Sequence, residues 1–247
     1  MKMINKSSIK DILGQIPLTA ELYGLLRQPG KSLTADFSLD QLDQNLADWK
    51  AQAAANKNAP PGKKVFIFGM LRYWLEHATL LGLGLAGMGH RVTLAYLPYS
   101  KWQTPMDRFN LRRQSLYTQG VLVQADPLLT IAPLATYKQE QLPPELEKVI
   151  QQVALRDTQY TLQVEEVSLD SDLYRLRLER NLTAARAAYA LLRKERPQVA
   201  ILPNGTILEF GAIYQVARYL YIPTITYEFG EQRDRIWLAQ NAEVMRQ

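Results

Sequence analysis

Two segments, Lys64 to Tyr99 and Val199 to Tyr227, each read as strand, helix, strand, and this repeated pattern restricts the chain to very few folds. In the first, the apolar run Val65-Phe66-Ile67-Phe68 is too short to cross a membrane, and its β-branched and aromatic residues suit a strand buried on both faces. Gly69 breaks that run. Helix-forming and small residues follow from about Trp74 to Met88, Gly89-His90 supplies a stop, and Arg91 to Tyr96 is again β-rich. The second unit has the strand Val199 to Pro203, the loop Asn204-Gly205-Thr206, a helix from about Leu208 to Tyr221 and a strand Thr224 to Tyr227 after Ile222-Pro223. Parallel strands joined by helices cross over right-handedly. Two such units predict an α/β protein with an open, mostly parallel sheet and helices on both faces.

Composition narrows the chemistry. A chain of 247 residues with 47% hydrophobic content can bury a large core. It contains no cysteine, which excludes disulfides, thiolate metal sites and cysteine nucleophiles, and its two histidines, His77 and His90, argue against a histidine-rich metal centre, so no metal is expected. No signal-like or membrane-spanning run is legible, which reads as a cytoplasmic protein. The net charge of +5 is concentrated: Arg72, Arg91, Lys101, Arg108, Arg112 and Arg113 face only Glu76 and Asp107 between Arg72 and Tyr117. Such a patch suits nucleotide-sugar phosphates, an anionic acceptor or peripheral contact with the inner face of a membrane, or it is a solvated loop; no nucleic-acid motif accompanies it.

Residues 1–58 read as an N-terminal helical extension and 59–247 as the sheet domain. Ser38 and Gln41 form a capping-box pattern before Leu39, Leu42, Leu46 and Trp49 at helical spacing. An earlier helix is expected from Glu21 to Arg27, stopping at Pro29-Gly30, and Ala59-Pro60-Pro61-Gly62 marks the domain boundary. Ser100 to Gly120 shows little periodicity. Val121 to Val123 and Leu128 to Leu134 read as short strands, Pro144 to Val164 and Asp170 to Arg196 as helices, and Gln232 to Gln247 as a short helical tail.

In open α/β sheets ligands bind beyond the carboxyl ends of the strands, where loops meet helix N-termini. That rule gathers Glu76, His77, Asn204, Gly205, Glu209 and Glu228 at one edge. The residues there resemble a known family. Glu76-His77, Leu85-Ala86 and Gly89-His90-Arg91-Val92-Thr93-Leu94 look like the opening unit of GT-B glycosyltransferases, and Arg196-Pro197-Gln198-Val199 with Ile222-Pro223-Thr224-Ile225 resembles the closing unit of their N-terminal, acceptor-side domain. Asn204-Gly205 and Glu228-Phe229-Gly230 look closer to the bacterial capsule and surface-polysaccharide branch than to the general pattern. The resemblance implies a Rossmann-like domain that transfers a sugar from a nucleotide-activated donor to a glycan or lipid-linked acceptor. The donor-binding half would lie in a second domain or a partner chain, leaving this chain weakly active or inactive alone. No tightly bound cofactor is implied. A Gly-x-Gly-x-x-Gly phosphate loop is missing from the first unit, since Gly82, Gly84, Gly87 and Gly89 fall within or at the end of the helix. The alternative is a non-catalytic Rossmann-like nucleotide- or sugar-binding or assembly protein.

Each candidate group has a functional and a structural reading. His77 near a helix start suits contact with a sugar or proton removal from an acceptor hydroxyl, and Glu228 at a strand's carboxyl end is costly to bury unless paired with Arg233 or Arg235 or used at a site. Glu76 and Glu209 orient hydroxyls or complement helix dipoles; Asn204 and Gly205 bind a ligand through backbone N–H groups or form a plain turn. Arg72, Arg112 and Arg113 offer guanidinium forks for phosphate. His90 reads as a cap on the first helix.

Overall fold

The computed structural model describes residues 6–16, 18–27, 31–56, 59–230, 232 and 234–244. The helices are α1 (Lys6–Gln15), α2 (Thr19–Arg27), α3 (Asp40–Ala55), α4 (Arg72–Gly87), α5 (Arg108–Leu122), α6 (Pro144–Leu162), α7 (Asp172–Glu195) and α8 (Leu208–Tyr219). The strands are β1 (Lys64–Met70), β2 (Arg91–Leu97), β3 (Leu129–Pro133), β4 (Val199–Pro203), β5 (Thr224–Phe229) and β6 (Ile236–Gln240). They form one sheet in the order β3-β2-β1-β4-β5-β6, parallel except for β6. The α/β class and the helix-covered, Rossmann-like open sheet expected from the two units are therefore present. The order reverses between β1 and β4, the topological switch point where such sheets open a crevice.

Alternation along the strands divides the core between two faces. Val65, Ile67, Val92, Leu94, Tyr96, Leu129 and Tyr227 pack with α3, α4 and α5 on one side; Phe66, Phe68, Met70, Leu97 and Leu202 pack with α6, α7 and α8 on the other. The N-terminal helices dock on this sheet domain. Leu42 and Leu46 of α3 are almost fully buried, each contributing roughly 1.5–3 kcal/mol of apolar burial. The Tyr117 hydroxyl of α5 accepts the Leu39 backbone N–H at 2.7 Å. Arg112 of α5 bonds Glu21 of α2 and the carbonyls of Gly14 and Ile16, tying the first two helices down.

Several local expectations are corrected. Ser38 does not cap α3: Leu39 occupies the cap position without a side-chain bond, while the Ser38 hydroxyl accepts the Asp40 N–H at 3.3 Å. The Pro29-Gly30 stop lies outside the described residues. The basic stretch after Ser100 is largely α5, started by Asp107, whose carboxylate accepts the Asn110 N–H at 2.8 Å, and Val121 to Val123 is helical rather than extended. Polar Gln114, Ser115 and Thr118 are buried along α5, which masks its apolar stripe in the sequence. The expected helical tail contains β6 instead: Ile236, Trp237 and Leu238 gain their hydrogen-bond partners only by lying antiparallel to β5. His90 receives the Lys63 N–H on Nδ1 at 2.9 Å, so it braces the entry to β1, while the Gly89 and His90 amides close the end of α4.

Candidate functional site

The switch-point crevice is bordered by the loop from β1 into α4 and the loop from β4 into α8. Leu71, in the left-handed region at φ 60°, turns the chain between β1 and α4. The Trp74 indole lies across the strand ends, with ring centroids 5.9 Å from Phe210 in α8's first turn, 5.5 Å from Tyr227 and 4.8 Å from Phe229. It packs against both halves of the core. A pyrophosphate needs glycine-backed amides at this position, and here the space beside α4 holds an aromatic ring. The missing glycine loop and the indole are consistent with each other.

On the α4 side, His77 joins this aromatic cluster. Its Nδ1 is 3.2 Å from the Tyr227 hydroxyl, and its ring meets Phe229 edge-on at 4.9 Å. Burial pulls the imidazole below its ordinary pKa and pushes the Tyr227 phenol up. The unfolded chain therefore takes up a proton that the folded imidazole resists, so stability from this group falls as pH drops through about 6.5 and below. His77→Phe, which keeps a ring in the cluster, is expected to flatten the fall in urea midpoint between about pH 7.5 and 5.5; an unchanged pH slope would count against a neutral, half-buried His77.

Glu76 is partly buried beside Arg72, with 3.8 Å between Nε and Oε1, and burial raises its pKa despite that cation. Arg72 itself is 46% exposed in its side chain and stands at the start of α4, open to the edge. Glu228 projects to the opposite face of β5 from Tyr227 and Phe229, towards α8. Its pKa is raised by burial, partly offset by the Phe229 N–H, which donates to Oε1 at 3.2 Å, and by a hydrogen bond from the Asn204 side chain. The two catalytic candidates, His77 and Glu228, thus flank β5 on different faces. The structure does not aim them at one atom.

Asn204 and Gly205 shape the β4–α8 loop. The Asn204 Oδ1 accepts the Thr206 N–H at 2.9 Å and the Ile207 N–H at 3.3 Å, while its backbone bonds Tyr227 and Val244. Gly205 has φ +79°, and a Cβ there would sit 2.7 Å from Thr226 Cγ2. Gly205→Ala is expected to cost about 1–3 kcal/mol in urea denaturation, from left-handed strain and the clash with β5; a loss of a few tenths would mean the loop relaxes freely.

The other candidates lie elsewhere. Glu209 is fully buried and paired with Arg177 at 3.0 Å, so it belongs to the core rather than the edge. Arg112 is occupied by Glu21 and two carbonyls, and Arg113 stacks on Tyr23 at 4.6 Å; both hold the N-terminal helices. Arg233 lies outside the described residues. Among the described residues no group of three or more metal-ligating side chains converges, and no helix is long and apolar enough to cross a membrane. Sequence reasoning missed Tyr73, Trp74 and Phe229, although their aromatic character at strand ends and helix starts was a usable signal. No protein-family model matches the chain, and no curated protein matches it.

Proposed function

We propose that the chain is the acceptor-side half of a glycosyltransferase, taking a sugar from a nucleotide-activated donor onto a glycan or lipid-linked hydroxyl. The observation that carries this reading is Glu228: a partly buried carboxylate of raised pKa at the carboxyl end of β5, beside the switch point. A carboxylate so placed can accept a sugar hydroxyl's hydrogen bond or, in an inverting reaction, remove its proton. Arg72 and Glu76 stand on the α4 side of the same edge, and exposed Tyr73 adds an aromatic face of the kind that stacks on pyranose rings. In this reading the donor's nucleotide is held by a second domain or a partner chain. His77 positions Tyr227 and the ring cluster rather than reacting.

The test is nucleotide release from a panel of nucleotide sugars, measured with the chain alone and with donor-side chains added. Release that requires both the donor-side chain and an acceptor supports the reading. Robust turnover by this chain alone would overturn the division into halves. Saturable sugar or nucleotide binding without release under any combination would favour the alternative, a non-catalytic binding or assembly protein.

A further inference from the structure

A second recess lies along the same sheet edge, over the ends of β2 and β3, and it differs in chemistry from the switch point. It encloses about 740 Å³ between α5, α7 and the segments following β2 and β3, with α1 above it, a size suited to a small organic ligand. Its floor holds Tyr99 and Arg180, which are 6% and 5% exposed.

Arg180 is the unusual element. Its guanidinium lies 4.1 Å above the Tyr99 ring and donates to three carbonyls: Lys101 at 3.0 Å, Trp102 at 3.2 Å and Thr104 at 2.6 Å. Those bonds use three of the five N–H groups of a guanidinium. Its neighbour Arg177 carries two buried carboxylates, yet no ion pair within 4.0 Å joins Arg180 to any acid among the described residues. Glu209 is engaged by Arg177, and Glu179 is exposed. Arg180 is thus a buried cation held by carbonyl dipoles and a ring, with Glu209 and Glu179 acting on it only from beyond ion-pair range, and an anion in the recess would complete its compensation.

The remaining walls fit that anion. Arg108 is exposed on the rim, Gln139 and Thr183 line two further sides, Thr136 gives its hydroxyl proton to the Pro133 carbonyl, and the one acid of the lining, Glu179, points its charge from an exposed position. Two guanidinium groups on one recess suit a doubly charged phosphate, which accepts charge-assisted hydrogen bonds from arginine. Leu111 and Leu176 supply apolar wall for the part of the ligand that bears the phosphate. We infer that this recess is a binding site for an organic phosphate, with Arg180 as the buried anchor and Arg108 as a second cation at the rim. The inference is independent of sugar transfer at the switch point.

The phosphate's carrier is either a soluble metabolite or a lipid, and two arms separate them. The full chain is titrated calorimetrically with glucose 1-phosphate beside glucose, and with farnesyl phosphate beside farnesol in the same micelles. At least one phosphate is expected to bind roughly tenfold or more tighter than its neutral counterpart, as charge-assisted hydrogen bonds require. The arm that saturates names the source. Arg180→Met is expected to lose that preference; because a buried change can compromise folding, Arg108→Glu at the exposed rim is the second variant, with about tenfold weaker binding expected. Equal binding of phosphate and neutral ligands, no saturation by either phosphate, or undiminished phosphate binding by Arg108→Glu would each overturn the assignment. Glu228→Gln is expected to leave phosphate binding unchanged, so failure of the transferase reading and failure of this one are distinguishable.

Discussion

Arg177→Leu is expected to destabilise the protein by about 3–5 kcal/mol, enough to remove much of the stability of an ordinary domain. Arg177 is completely buried between Asp157 of α6 and Glu209 of α8, at 2.5 and 3.0 Å, and also donates to the Trp102 carbonyl at 3.2 Å. Burial works to lower its pKa, but Glu209 and Asp157 overcome that and hold it firmly protonated. Asp157 is raised by burial against the pull of Arg177, and its Oδ1 lacks a hydrogen-bond partner. Removing the cation leaves two carboxylates in the core without their counter-charge, and the Asp157 pKa, already raised by burial, rises further. A raised carboxyl pKa contributes stability below the unfolded value that is lost as pH rises, so the variant's deficit should shrink towards acid pH. Urea denaturation of both proteins near pH 7.5 and 5 reads this directly. A deficit below about 1 kcal/mol, or one independent of pH, would show that water enters the cluster. Replacing all three residues by apolar ones should recover most of the loss, because a buried ion pair contributes little net stability when a packed apolar group can take its place.

On the proposed transferase reading, Glu228→Gln is expected to reduce sugar transfer by about 10²- to 10⁴-fold in kcat while leaving the thermal midpoint nearly unchanged. The amide keeps the shape and the hydrogen bond from Phe229, so the backbone at the end of β5 has no reason to move. What disappears is the ability to take a proton. Because burial raises the Glu228 pKa, the acid limb of kcat/KM should lie above the ordinary carboxylate range and vanish in the variant. Undiminished transfer by Glu228→Gln would remove Glu228 from the chemistry. A raised KM with unchanged kcat would reduce its role to holding the acceptor.

Much of the architecture was legible because burial on both faces leaves a strong local mark. The runs Val65 to Phe68 and Val199 to Leu202 are apolar without alternation, and Gly89 and Pro223 punctuate them. α5 was not legible, since its buried face carries Gln114, Ser115 and Thr118: Gln114 receives the Leu33 N–H and the Ser115 carbonyl accepts from the Tyr96 hydroxyl, both from distant segments, while the Thr118 hydroxyl donates back to the Gln114 carbonyl. β6 failed for a related reason. A strand of five residues has no internal hydrogen bonds, so its existence depends on β5 being beside it.

The candidate site divides in the same way. Which residues reach the carboxyl edge of the sheet follows from chain direction, and so Arg72, Glu76, Asn204 and Glu228 could be placed from sequence. Side-chain direction and pairing could not. Alternation along β5 sends Glu228 and the His77 partner Tyr227 to opposite faces; three helices meeting at one point bury Glu209 against Arg177; and the docking of α1 and α2 consumes Arg112. By itself the sequence determined the two parallel units, their crossovers and the carboxyl edge they share, because periodicity and chain breaks are local properties. Only the tertiary structure decided which charges are paired and which face a recess, because the energy of a charge depends on solvent exclusion and on partners brought from far along the chain.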